Sequence, residues 1–93
     1  MHVAVLTIEL RLPGCASLKE KRGRLKPLLA GLHRQFNVSA AEIDHLDSHR
    51  SAGLAFACVS NDRAVANSLL DRIRHFVESN PLCEIAESGM EFV

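Results

Sequence analysis

Three cations stand close together near the start of a predicted helix, in the segment SLKEKR at residues 17–22. They are Lys19, Lys21 and Arg22. The first turn of an α-helix carries partial positive charge, so cations are normally unfavourable there. A phosphate or other anion would reverse that cost, because exposed backbone amides and basic side chains attract it together. The segment therefore suggests an anion-binding surface, with RNA as the polyanion to consider.

A purely structural interpretation of the same segment is also open. The stems of Lys and Arg side chains often cover apolar edges while their charged heads stay in water. Arg22 lies beside a leucine stripe of the predicted helix, so we expect its stem to pack there. Glu20 is close enough to pair with one of the cations. The sequence leaves both interpretations in place.

The charge distribution limits the classes of partner. The 11 Lys and Arg residues balance the 11 Asp and Glu residues, so the formal net charge is zero. A protein that coats DNA is usually basic overall, so no DNA partner is expected and any contact with RNA must depend on a local patch. Six cations fall between Lys19 and Arg34 against the single acid Glu20, whereas residues 78–93 contain four Glu and no cation. Four Phe with no Trp or Tyr also disfavour a base-stacking platform.

His45, Asp47 and His49 are residue types that bind metal ions, and they alternate along the chain. On an extended strand all three would face the same side, but the two histidines would be ~13 Å apart, too far for one ion. A turn beginning at Ser48 would shorten that distance, which leaves metal binding as the less favoured alternative. We expect a polar strand end, with no metal and no cofactor.

The three cysteines do not form a recognisable site. Cys15, Cys58 and Cys83 are odd in number and lack CxxC spacing, which favours free thiols in a reducing, cytoplasmic compartment. Cys15 precedes the predicted helix, yet no histidine is placed beside it by the sequence, so nucleophilic catalysis has little support. The chain has neither a run of about 18 apolar residues nor a signal-peptide pattern, so no membrane association is expected.

Hydrophobic periodicity predicts one domain spanning residues 1–93, with four strands and two helices. The predicted strands cover 2–12, 37–47, 52–59 and 83–93. Ser17 and Glu20 form a capping box for the first helix, and Ser60 or Asn61 caps the second, which ends before Pro81. The order is the β-α-β-β-α-β of the ferredoxin-like fold, an α+β fold. Right-handed crossovers give strand order 4-1-3-2 with both helices on one face.

This topology brings separate segments to one end of the molecule. The start of the first helix, the turn at 48–51 and the end of the second helix should meet there. We therefore predict that four cations share one anion- or RNA-binding surface: Lys19, Lys21, Arg22 and Arg50.

The sheet face away from the helices is also unusual. The third strand is apolar on both sides, and such strands normally have both faces covered. Since the helices cover only one face, we expect a homo-oligomer, most simply a dimer, formed through the other. The residues predicted for this contact are Val3, Val5, Ala55, Ala57 and Val59. A mildly apolar surface left in water is the alternative.

Four segments of the chain are similar to a known family. MHVAVLTIEL running into PGCASLKEKR, followed by FNVSAAEIDH and VSND, resembles the YlxP-like family of small bacterial proteins over essentially the whole length. The resemblance implies a ferredoxin-like fold and a domain of unknown function without established catalytic residues. It also implies an association with translation, because genes of the family lie beside those of translation initiation and ribosome maturation factors.

The function expected from the sequence is therefore non-enzymatic. The first hypothesis is a binding or accessory protein that contacts RNA or the ribosome through its cations. The second is a protein-interaction module that oligomerises through its open sheet face and has no nucleic-acid role. A third class is a small-ligand or enzymatic role for a pocket formed between subunits, but no group of residues in the sequence indicates one.

Overall fold

The computed structural model describes residues 1–93 and contains four strands and two helices. Their bounds are β1 (His2–Arg11), α1 (Leu18–Gln35), β2 (Ser39–Asp44), β3 (Ser51–Ser60), α2 (Arg63–Glu78) and β4 (Glu84–Phe92). The predicted β-α-β-β-α-β order is confirmed.

The four strands form one antiparallel sheet in the order β2-β3-β1-β4. This is the predicted order 4-1-3-2 read from the other edge. β1 and β3 pair along their whole length, from His2 opposite Ser60 to Arg11 opposite Ser51. β1 and β3 are therefore the central pair, and β2 and β4 are the two edges.

The core lies between the sheet and the two helices, as the alternation in β1 predicts. Ala4, Leu6, Ile8 and Leu10 are all buried on that side, and Phe56 of β3 is completely buried beside them. The other face of the sheet carries no helix. Alternating burial along β1 therefore separates a filled side from an open side, which is the ferredoxin-like arrangement.

The second strand is shorter than predicted, ending at Asp44 instead of residue 47. His45 adopts φ +59, a left-handed conformation that ends the extended backbone. Ser48 N then donates to His45 O at 3.0 Å and closes a turn. The register of β2 against β3 also shifts between Glu42 and Asp44. His45, Asp47 and His49 consequently do not lie on one strand.

The N-cap of α2 is Asp62, so the prediction of Ser60 or Asn61 is wrong. The carboxylate of Asp62 accepts hydrogen bonds from Ala64 N at 2.9 Å and Val65 N at 3.3 Å. A carboxylate can accept from two helix amides at once, and its negative charge suits the positive end of the helix. Ser60 instead accepts a bond from Asp62 N and orders the approach to the helix.

The predicted cap of α1 is present with one difference. Ser17 Oγ accepts from Glu20 N at 3.1 Å, as in a capping box. Glu20 Oε2 reaches back to Ala16 N at 2.9 Å, one residue before the usual partner. Its other oxygen lies 3.2 Å from Arg24 Nη2. The backbone bond from Ala16 and then the Arg24 guanidinium lower the pKa of Glu20 below its ordinary value of 4.5.

The lowered pKa of Glu20 predicts a pH-dependent contribution to stability. Because this pKa is lower in the folded than in the unfolded chain, the stabilisation is present at neutral pH and is lost as the pH falls through the folded-state value. Glu20→Gln should therefore be less stable than the unmodified protein at pH 7, and the difference should shrink towards pH 3. Thermal unfolding across this range measures it.

The matched control for this comparison is Glu91→Gln, which removes an exposed glutamate that forms no ion pair. Its difference from the unmodified protein should stay small at every pH. A Glu20→Gln difference that does not change between pH 7 and pH 3 would contradict the assigned role of the carboxylate.

Candidate anion-binding surface

Helix α1 presents three cations on one exposed face. Lys19, Arg22 and Lys26 are separated by three and four residues, so they are neighbours on the helix surface. All three are exposed, and none forms an ion pair or a side-chain hydrogen bond. We call these residues the basic row. Glu20, the one acid in the first turn, is occupied by Arg24 and Ala16 and does not neutralise the row.

Lys21 does not belong to this surface. Its side chain points from α1 towards β2, and the residue is only 2% exposed. Lys21 Nζ donates to His45 O at 2.8 Å and Ser48 O at 2.6 Å, and it lies 2.7 Å from Glu42 Oε2. The prediction that Lys21 can meet an external anion is therefore wrong, because protein oxygens surround its ammonium group.

Lys21 instead fixes the segment that joins β2 to β3. We call residues 45–50 the pinned loop, since Lys21 Nζ binds two of its carbonyl oxygens. At the far end of the loop, Leu12 N donates to Arg50 O at 2.9 Å. The nearby charge of His49 also contributes to lowering the pKa of Glu20. These contacts place the loop, with Arg50 exposed on it, at the end of the molecule where α1 begins.

A groove separates α1 from the pinned loop. It has a volume of about 310 Å³ and apolar walls formed by Leu18, Leu25, Leu29 and Leu46. Arg22 and Lys26 line it on the helix side. The expectation that the stem of Arg22 packs at the edge of the leucine stripe agrees with this position, although the residue as a whole is exposed. The groove thus adjoins two members of the basic row.

His45 has different neighbours from those its sequence spacing indicated. His45 Nε2 lies 2.8 Å from Glu9 Oε2 and 3.8 Å from Asp44 Oδ2. The three side chains bring potential ligand atoms within 4.8 Å of one another, but neither Asp47 nor His49 is among them. The contact with Glu9 is a hydrogen bond on the open sheet side and accounts for the position of the ring without a metal ion.

The cysteines are packing residues in this structure. Cys15, Cys58 and Cys83 are all free and buried. Burial raises the pKa of the Cys58 and Cys83 thiols above the usual value. Cys15 Sγ donates to Ser17 O at 3.5 Å within the loop before α1. None of the three presents an accessible nucleophile to solvent.

Comparison with known proteins identifies the family. The family model described as "Protein of unknown function (DUF503)" matches residues 3–90. The chain belongs to the DUF503 family. It is also 38% identical over 68 residues to the uncharacterized protein YlxP of Bacillus subtilis (strain 168), covering 73% of this chain and 74% of that protein. The resemblance to YlxP-like proteins is confirmed.

A solved structure supports the fold of this DUF503 member independently. The structural-genomics protein YJCS aligns over 98% of both chains with a TM-score of 0.56 at 18% sequence identity. At this identity the likeness concerns the fold alone. The helices of the chain are also too short or too polar to cross a membrane.

Sequence reasoning missed one member of the basic row and misplaced another cation. Lys26 was among the six cations counted between residues 19 and 34, and its four-residue spacing from Arg22 was the signal that could have selected it. Lys21 is four residues before the buried Leu25, and that spacing already placed it on the apolar face. Helical position separates these two lysines, since Lys21 faces the core and Lys26 faces water.

The role of Lys21 predicts a large loss of stability when its ammonium group is removed. Lys21→Met should lower the free energy of unfolding by about 2–4 kcal/mol, because two loop carbonyls and Glu42 lose a charged partner. Urea unfolding measures this change. Lys19→Met, two residues away and exposed, should stay within about 0.5 kcal/mol of the unmodified protein. Equal effects of the two substitutions would contradict the assignment.

Proposed function

We propose that this protein is a non-enzymatic, cytoplasmic binding protein that contacts RNA through the basic row and Arg50. The observation that carries the proposal is the row itself: Lys19, Arg22 and Lys26 form an exposed line of cations without an acidic partner. Lys19 lies in the first turn of α1, where a cation is unfavourable unless an anion is near. A phosphate backbone supplies that anion at several points along the row.

The mode of contact follows from which groups are exposed. Phe56 is buried, and the other phenylalanines are partly buried against the core. Bases therefore have no exposed aromatic platform on which to stack. Contacts through Lys and Arg to phosphates fix position but carry little sequence information. The proposed binding is accordingly salt-sensitive and tolerant of RNA sequence.

The proposed setting is the translation apparatus, where the resemblance to YlxP-like proteins points. The polar distribution of charge suits a contact on one side of the molecule, since β4 beyond its first residue carries Glu87 and Glu91 and no cation. Repulsion between these carboxylates and phosphates would turn β4 away from the RNA and α1 towards it.

Substitution of the basic row tests the proposal. Lys19→Gln, Arg22→Gln and Lys26→Gln combined should weaken binding to a single-stranded fragment of ribosomal RNA. The plot of log affinity against log salt should become shallower by about 2, since each phosphate contact contributes about 0.7 for a single strand. Fluorescence anisotropy across a salt series gives both quantities.

The control variant is Arg63→Gln with Arg72→Gln, which removes two exposed α2 cations that also lack acidic partners. It should leave the salt slope unchanged within error. If the basic-row variant and this control lose affinity equally, the contact is a general charge effect and the proposed surface is wrong.

A second candidate function is favoured by the open side of the sheet. Val3 lies opposite Val59 and Val5 lies opposite Ala57, with Ala55 next along β3. Four of these residues are partly exposed, and Val59 is 67% exposed. We propose that this apolar face forms a homodimer, the sheets of two copies packing together. Association through it would bury the side of β1 and β3 that the helices leave open.

Sedimentation of Val59→Lys tests the dimer. The unmodified protein should sediment as a dimer at micromolar concentration, and Val59→Lys should sediment as a monomer because a charge would be buried in the contact. Val65→Lys is the matched control, since Val65 is 57% exposed but lies on α2. A monomeric unmodified protein at these concentrations would reject the dimer.

A further inference from the structure

A second cleft lies beside the pinned loop, at the end of the β1–β3 pair. Its volume is about 690 Å³, and its lining includes Arg11, Gly14, Ala16, Arg50 and Glu84. The cleft is distinct from the groove beside the basic row, which lies between α1 and Leu46. It contains one residue, Arg50, that the sequence predicts for the anion-binding surface and one, Arg11, that the sequence does not select.

Two arginines line this cleft from adjacent segments of backbone. Arg11 is the last residue of β1 and pairs with Ser51, so residue 50 is its neighbour across the strand pair. The bond from Leu12 N to Arg50 O, 2.9 Å long, holds the two segments together. Lys21 restrains the other end of the same loop through His45 O and its middle through Ser48 O. The two arginines therefore extend from a backbone that is fixed at several points.

Both arginines are available for a ligand. Arg11 and Arg50 are exposed and form neither an ion pair nor a side-chain hydrogen bond within the protein. Glu84 also lines the cleft, opposite Arg11 in the β1–β4 register, yet it pairs with neither guanidinium. A guanidinium group offers paired N–H donors whose geometry matches two phosphate oxygens. Two such groups at one cleft suit a phosphate better than a singly bound carboxylate.

The remaining wall leaves room for the ligand. Gly14 adopts φ +69 and lines the cleft with backbone alone. Arg24, the nearest other guanidinium, donates to Pro13 O at 2.6 Å and to Leu82 O at 3.1 Å. These N–H donors are therefore not available to a ligand in the cleft. The volume exceeds that of an isolated phosphate and admits the sugar attached to it.

We infer that this cleft binds the phosphate group of a nucleotide unit between Arg11 and Arg50. The inference rests on the proposed function, since the natural ligand is taken to be RNA, and it deepens that function by adding a defined pocket to the basic row. The same chemistry is present in a phosphate monoester, as in a nucleotide or an RNA 5′ end, and in a backbone diester. The experiment must therefore separate these sources.

Titration followed by NMR provides the test. The ¹⁵N-labelled protein is titrated with adenosine 5′-monophosphate, with adenosine, and with a short oligoribonucleotide that has no terminal phosphate. We expect the amides of Gly14, Ala16 and Ser51 to shift with the monophosphate but not with adenosine. Shifts with the oligoribonucleotide would assign a diester, and shifts with the monophosphate alone would assign a terminal phosphate.

Arg11→Gln with Arg50→Gln should weaken binding of whichever phosphate compound shifts these amides at least about tenfold, because two charged donors are removed. Arg63→Gln with Arg72→Gln is the control and should bind like the unmodified protein. Arg11→Lys with Arg50→Lys keeps both charges and should lose several-fold, since Lys cannot form the bidentate contact. Thermal unfolding of each variant confirms that it is folded.

The results separate this inference from the proposed function. Substitution of the basic row could leave RNA binding unchanged while the monophosphate still shifts the cleft amides and its binding still requires the two arginines. That result would support the cleft and reject the proposed RNA surface. If neither phosphate compound shifts these amides, or if the double Gln variant binds within twofold of the unmodified protein, the inference about the cleft is overturned.

Discussion

The buried ammonium group of Lys21 is the interaction on which the candidate site depends. Removing a charge from water costs free energy unless other charges or dipoles replace the hydration. Here Glu42 and the carbonyl oxygens of His45 and Ser48 provide that replacement. These oxygens come from β2 and from the loop that follows it. Because the buried ammonium group needs all of them, Lys21 joins α1 to both β2 and the loop. Arg50 and Leu46 lie on that loop, and their positions relative to α1 follow from the same contacts.

Residues 17–22, the N-cap and first residues of α1, have different roles because their side chains point in different directions around the helix axis. Ser17 and Glu20 satisfy the helix end, Leu18 lines the groove, and Lys21 enters the interior. Lys19 and Arg22 are left on the outer face with Lys26 one turn further on. Packing and capping thus explain four of the six residues. The two that remain are cations facing water near the positive end of a helix, and local structure gives no stabilising reason for their charge.

The fold was predictable because its signals are local and periodic. Alternation in β1 separates the buried Ala4 and Leu6 from Val3 and Val5, and antiparallel pairing with β1 then fixes which side of β3 is buried. The end of β2 was less predictable, since His45 combines a left-handed backbone conformation with a side-chain contact to Glu9, 36 residues away. The partners of Lys21 were hidden for a related reason. Two are backbone carbonyls, which exist at every residue, and their position depends on the tertiary turn.

The two proposed surfaces lie on different sides of the sheet, which makes them compatible. The basic row is on α1, in the helix layer, whereas Val5, Ala57 and Val59 face away from that layer. A dimer formed through the open face would leave the basic row of each copy exposed and place the two rows on opposite outer surfaces. Two weak phosphate contacts joined in one particle bind a long RNA more strongly than either alone, provided the RNA can reach both. A chain of zero net charge would therefore gain from the proposed dimer what a more basic monomer obtains from charge.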